Sequence, residues 1–411
     1  MNNNFKNNKM KKYILLPFVI LLLTIEAYSQ GSGEDVMPEI EIGLKVITTG
    51  NSYFTKGNSS LGIPVLNEGE QTVSDFSDSY FLIGARQKLY KGWRGQMVLG
   101  FSFPDANTGL GQVFYNQIMA RVENKKNIIT IGRTTSQTTL GTFTTFRDDD
   151  VMQFNYILNP FSTGVNTEDN QYANVLEYTH IFANRLYVTL HGENYQSFSN
   201  PNDFSLNGIG GSIVYKVPES QIWQRKIINE VGISSVNFRV DDPNSTNSKT
   251  YLNSLVSYAA INIHPDPVHF IDFKLLNITN FGLSGVTDIT NYSEYTRSKN
   301  QSFFGMFRYL NRKLERPNYQ VSLGGGYKSF SGLNSSPSQF VVLGNLFYRV
   351  GNNFDILFQY RYHENTGVLE NLLGKNQHRF QIGLSYSFNK IFNSQFDNRN
   401  SILNLEHGYI K

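Results

Sequence analysis

Strict alternation of apolar and polar residues recurs through most of this chain. It constrains the fold more than any other feature, because a two-residue period places successive side chains on opposite faces of an extended strand. From Arg379 to Phe388, residues Phe380, Ile382, Leu384, Tyr386 and Phe388 share one face, and Arg379, Gln381, Gly383, Ser385 and Ser387 share the other. Phe354, Ile356, Phe358, Tyr360 and Tyr362 oppose Asp355, Gln359, Arg361 and His363 in the same way. Met97, Leu99 and Phe101 oppose Arg94, Gln96 and Gly100, while Leu186, Val188 and Leu190 oppose Tyr187, Thr189, His191 and Glu193. Such segments specify strands with one apolar and one polar surface.

The segments are about 8 to 13 residues long, which matches the roughly 9 to 11 residues a tilted strand needs to cross a bilayer. Sixteen begin near residues 39, 79, 93, 112, 126, 171, 184, 206, 227, 251, 268, 301, 318, 339, 353 and 376. Those near 171, 227, 251 and 301 alternate poorly. An even number suits an antiparallel transmembrane barrel, which must close because no strand edge can stay unpaired in lipid.

Connection lengths supply a separate signal. Every second link is tight: Lys91-Gly92, Asn124-Lys125, Ala183-Asn184, His264-Pro265-Asp266-Pro267 and Gly351-Asn352, with longer ones at Glu219 to Lys226 and Asn311 to Pro317. The intervening links are long: 50–78, 134–170, 281–300 and 364–375. Barrels of the outer membrane sort their loops by side in this manner, with short periplasmic turns. Aromatic residues at segment ends, including Tyr80, Trp93, Tyr348 and Tyr362, match the interfacial girdles of such barrels.

Composition agrees with this reading. There are 31 Phe and 24 Tyr but 2 Trp and no Cys, with a net charge of +3. Mean hydropathy is −0.33 in spite of the aromatics, as expected when lipid-facing and lumen-facing residues cancel. The small charge gives no footprint for nucleic acid. Lys6, Lys9, Lys11 and Lys12 precede the apolar run Ile14 to Ile25 and the small residues around Ala27-Tyr28-Ser29. This pattern predicts a signal peptide over residues 1–29, too short to span as a helix. The expected organisation is therefore all-β: a barrel over 30–388 containing the long loop 134–170, then a periplasmic tail over 389–411.

The strand number, the loop parity, the terminal aromatic Phe388 and the long fifth-to-sixth connection together make the chain resemble the sixteen-stranded Gram-negative porins, in a Bacteroidota-type form. The resemblance implies an open, cofactor-free pore for small hydrophilic solutes in outer-membrane lipid. It also implies a homotrimer, an inward-folding loop 134–170, and Phe388 as the signal read by the barrel-assembly machinery. The residues 389–411 depart from it, since porins usually stop at the terminal aromatic.

The long loop contains Asp148, Asp149 and Asp150, then Glu168 and Asp169. These carboxylates have three readings: a constriction that sets ion preference, a divalent-cation site, or a solvated acidic turn. Alternation turns Lys45, Arg94, Arg121, Arg361 and Arg379 inward on neighbouring strands, as a basic arc. Set against the acidic loop, the arc would create a transverse field across the narrowest point. Balancing inward Glu41, Glu193 and Asp355 is the plainer role. There is no Gly-x-Ser-x-Gly elbow, His-Glu-x-x-His helix or phosphate loop, so no enzyme, metal or cofactor is expected. Two alternatives to a diffusion channel stay open: a non-conducting barrel that serves a secretion or surface-attachment complex, favoured by the tail, and a substrate-specific channel.

Overall fold

The computed structural model describes residues 37–56, 71–75, 79–102, 114–135, 172–194, 206–217, 228–241, 249–263, 266, 268–281, 299–313, 316–331, 336–351, 353–367, 370, 375–393, 403–404 and 409–410. Seventeen strands form one sheet: β1 Glu39–Lys56, β2 Gln71–Asp75, β3 Tyr80–Lys88, β4 Arg94–Ser102, β5 Phe114–Glu123, β6 Asn127–Thr135, β7 Tyr172–Phe182, β8 Leu186–Glu193, β9 Gly208–Lys216, β10 Ile228–Asp241, β11 Lys249–Ile263, β12 His269–Phe281, β13 Lys299–Lys313, β14 Arg316–Ser331, β15 Ser338–Arg349, β16 Phe354–Thr366 and β17 Asn376–Phe392. Sixteen build the barrel wall, and all of their starts lie within two residues of the positions read from alternation. The five-residue β2 is the extra one and pairs with Thr49–Ser52 of β1.

Neighbours in sequence are antiparallel neighbours in the sheet, and β1 closes the ring by pairing with β17 on one side and β3 on the other. Closure satisfies every ladder hydrogen bond that hydrocarbon would otherwise leave unmade. The register along the seam is long: Ile40 opposes Phe392 and Lys56 opposes Asn376. Thus β17 runs four residues past Phe388, which corrects the barrel boundary drawn there. Asn389 breaks the apolar alternation but still contributes inside, donating from Nδ2 to Glu41 Oε1 at 2.7 Å.

The tight turns fall on one rim, where their chemistry explains them. Ala183 and Asn184 both adopt positive φ (49° and 56°), the backbone of a two-residue hairpin turn. Asn124 Oδ1 accepts from the backbone N–H of Lys126 and Asn127 at 2.8 Å each, closing β5 onto β6. Asp266 does the same for Val268 and His269. The β13–β14 link is shorter than Asn311 to Pro317, since both strands extend into that stretch and leave only residues 314–315 between them.

Lipid-facing positions carry the large exposed apolar side chains, such as Leu190, Ile209, Leu323, Ile382 and Leu384. Tyr348, Phe354, Phe388 and Phe392 cluster on β15 to β17 at the short-turn end of this surface. On the same outer wall Ala259, Gly305 and Gly325 recess a groove of about 930 Å³ between Phe303, Tyr327 and Phe340.

Candidate functional site: the barrel lumen

Inward side chains alternate with the lipid-facing ones, and they divide the inner wall into two sectors. From β15 through β17, β1 and on to β8 polar side chains predominate, with Leu82, Val98 and Met119 as an apolar exception. Gln359, Arg361 and His363 project from β16, Arg379, Gln381 and Ser385 from β17, Glu39 and Glu41 from β1, Arg86 from β3, and Arg121 from β5; all are buried. From β9 to β15 an apolar cluster shares the wall with buried Glu230, Asp272, Lys274, Ser322 and Lys328. Val214, Val256, Tyr258, Leu276, Ile278, Phe304, Met306, Val341 and Leu343 form one buried cluster, with Tyr187 packed against it.

The apolar cluster accounts for two of the four segments that alternate poorly, β11 and β13. On β11 the inward Val256 and Tyr258 stand between the outward Leu255 and Ile261, and on β13 the inward Phe304 and Met306 stand between Phe303 and Phe307. Where both faces are apolar, no polar phase remains to mark the lumen side. Such stretches read as continuous apolar runs.

Lys45, Arg94, Arg121, Arg361 and Arg379 stand on the inward phase of their strands, in differing surroundings. Arg94 Nη2 lies 2.9 Å from Glu123 Oε1 across the β4–β5 ladder. Arg121 donates from Nε to Thr130 Oγ1 at 3.3 Å, and Arg361 and Arg379 oppose each other directly on β16 and β17. Lys45 opposes Ser387 and Tyr80. Carboxylates interleave with these bases, so the arc is mixed in sign. Glu39 is in an ion pair with Arg86, and Glu41 and Glu177 are buried on the same sector. Asp355 meets Arg349 Nε at 2.9 Å, and His191 Nε2 lies 3.6 Å from Glu193 Oε2.

Several inward pairs escaped the sequence reading. Asp272 and Arg308 form a charge-assisted pair between β12 and β13. Tyr258 donates from its hydroxyl to Glu230 Oε1 at 2.7 Å, while Lys216 Nζ lies 3.6 Å from Glu230 Oε2. Glu39–Arg86, Asp272–Arg308 and Glu230–Tyr258 are separated by 47, 36 and 28 residues. Only strand pairing brings them together. Asp148, Asp149, Asp150, Glu168 and Asp169 lie outside the described residues, as do residues 1–36 and most of 134–170. Among the described residues no three of His, Asp and Glu converge as a metal ion would require.

The tail also departs from expectation. The sequence places residues 389–411 in the periplasm, but Leu403 packs against the inner face of the barrel. It is 3% exposed and packs with the inward-facing Leu82, Val98 and Met119 of β3, β4 and β5. An apolar side chain leaves water for an apolar notch, which is a stronger preference than an extended exit into solvent.

No family model and no curated protein matches this chain. Solved structures do. An anion-selective porin from Comamonas acidovorans superposes with a TM-score of 0.56 at 11% identity, over 85% of this chain and 100% of that one. The outer-membrane channel DcaP of Acinetobacter baumannii gives 0.56 at 10% identity, over 86% and 99%. The trimer form of OmpT, an outer-membrane protein of Vibrio cholerae, gives 0.53 at 10% identity, over 85% and 99%. At these identities the likeness concerns the fold. The molecule is a closed antiparallel barrel of sixteen wall strands, of the architecture these porins and channels share.

Proposed function

We propose that the protein is a porin-like channel through which small hydrophilic solutes diffuse passively across the outer membrane, without catalysis or cofactor. The observation that carries this reading is the polar inner sector, where charged and amide side chains such as Gln359, Arg361, Arg379, Gln381, Glu41 and Arg121 predominate from β15 around the seam to β8. A lumen wall of this kind offers permeating solutes replacement hydrogen bonds, and its mixed charges filter by sign. The loop carboxylates Asp148, Asp149, Asp150, Glu168 and Asp169 supply the opposing charge at the constriction. Assembly as a homotrimer is part of the proposal, supported by the trimer form of one neighbour.

The test is conductance of the refolded protein in planar bilayers, with reversal potentials in a salt gradient. Solute-permeable openings support the channel. Replacing Arg361 and Arg379 with Gln is expected to move selectivity toward cations, and Asp148 to Asp150 with Asn toward anions. Absence of any permeability, from full-length and tail-deleted protein alike, overturns the reading.

A further inference from the structure

The notch that holds Leu403 is an unusual element in a polar wall. Leu82 and Val98 lie among Gln96, Arg86 and Gln117, all buried on the same face. Gly43 and Gly100 are the ladder partners of Leu82, and Gly84 is a partner of Val98. Three small residues beside three apolar ones leave a socket that opens to the lumen. In water such a socket is unfavourable, and a single apolar side chain arriving from the lumen fills it.

The chain can deliver one. Beyond the seam strand, Leu403–Asn404 (β18) pairs antiparallel with Tyr409–Ile410 (β19), and β18 lies against β3. Leu82 is six residues from the periplasmic end of β3, roughly 20 Å along the strand. The eleven residues from Phe392 to Leu403 can reach roughly 36 Å when extended. The chain length between Phe392 and Leu403 therefore exceeds the distance from the end of β3 to the socket.

We propose that the C-terminal segment is a lumen plug: Leu403, seated between Leu82, Val98 and Met119, holds the channel closed until it is withdrawn. The plug rests on the channel reading but has an assay of its own. Because the chain has no Cys, Val98→Cys introduces a single thiol into the socket. Labelling by a membrane-impermeant maleimide is compared in the full chain, in a chain ending at Asn393, and in the full chain with Leu403→Asp. Labelling is expected to rise roughly 10- to 100-fold on truncation, the factor that burial of one leucine supports, with Leu403→Asp following it and Leu403→Met staying near the full chain.

In bilayers the truncated protein is expected to show a larger open fraction than the full chain, and a synthetic peptide of residues 394–411 to reduce it again. Equal labelling in all variants overturns the plug, whatever the conductance. Equal conductance of full-length and truncated channels also overturns it and leaves the channel reading standing. Labelling that changes while neither form passes solute overturns the channel reading instead.

Discussion

Glu39 and Arg86 face each other across the β1–β3 seam, with side chains 1% and 3% exposed, where the barrel's first strand meets its third. Removing one partner from a buried ion pair leaves the other charge uncompensated, at a cost of about 3–5 kcal/mol. If lumen water reached the pair freely, the cost would fall to about 0.2–1 kcal/mol, as for exposed pairs. The low exposure selects the first value. Glu39→Gln and Arg86→Met should therefore each destabilise by about 3–5 kcal/mol. The double variant should recover much of this, because no buried charge is left alone. Urea unfolding in phospholipid vesicles, followed by the fluorescence of the 2 tryptophans and by heat-modifiable gel mobility, measures all four corners of the cycle. Single costs below about 1 kcal/mol would refute the reasoning, and would show that water reaches the pair.

Three further outcomes are expected. Leu384→Arg, on the lipid face, should reduce folding into vesicles by about 2–4 kcal/mol, whereas Ser387→Arg on the lumen face stays within about 1 kcal/mol; equal effects would deny the assigned faces. Gly132 has φ 120°, and a Cβ there would meet the Ile118 carbonyl oxygen at 2.2 Å, so Gly132→Ala should cost about 1–3 kcal/mol or more in the same unfolding assay. Hydrogen bonds from the His269 side chain and from the backbone N–H of Val268 and His269 hold the Asp266 carboxyl below its ordinary range. A depressed carboxylate contributes stability that is present above its unfolded pKa and is lost as pH falls through the folded one. The urea midpoint should therefore drop in acid below about pH 4, and Asp266→Asn should flatten that drop.

What the sequence by itself determined was the strand ladder. Arg379 to Phe388 or Phe354 to Tyr362 can satisfy an apolar and an aqueous surface together only as strands, and turn residues such as Ala183-Asn184 sort the short links to one rim. One polar face per strand is a local property, so a linear reading recovers it. On β11 and β13 the signal vanishes, because the lumen side bears Val256, Tyr258, Phe304 and Met306 and both faces look alike. The tertiary structure alone decided which of those faces turns inward. It also decided the partners of the inward charges, since Glu39 finds Arg86 and Asp272 finds Arg308 through register across intervening loops. The place of Leu403 is of the same kind. Nothing in the local sequence Ile402-Leu403-Asn404 names a socket whose walls come from three separate strands, and burial energy acts only once those strands are in place.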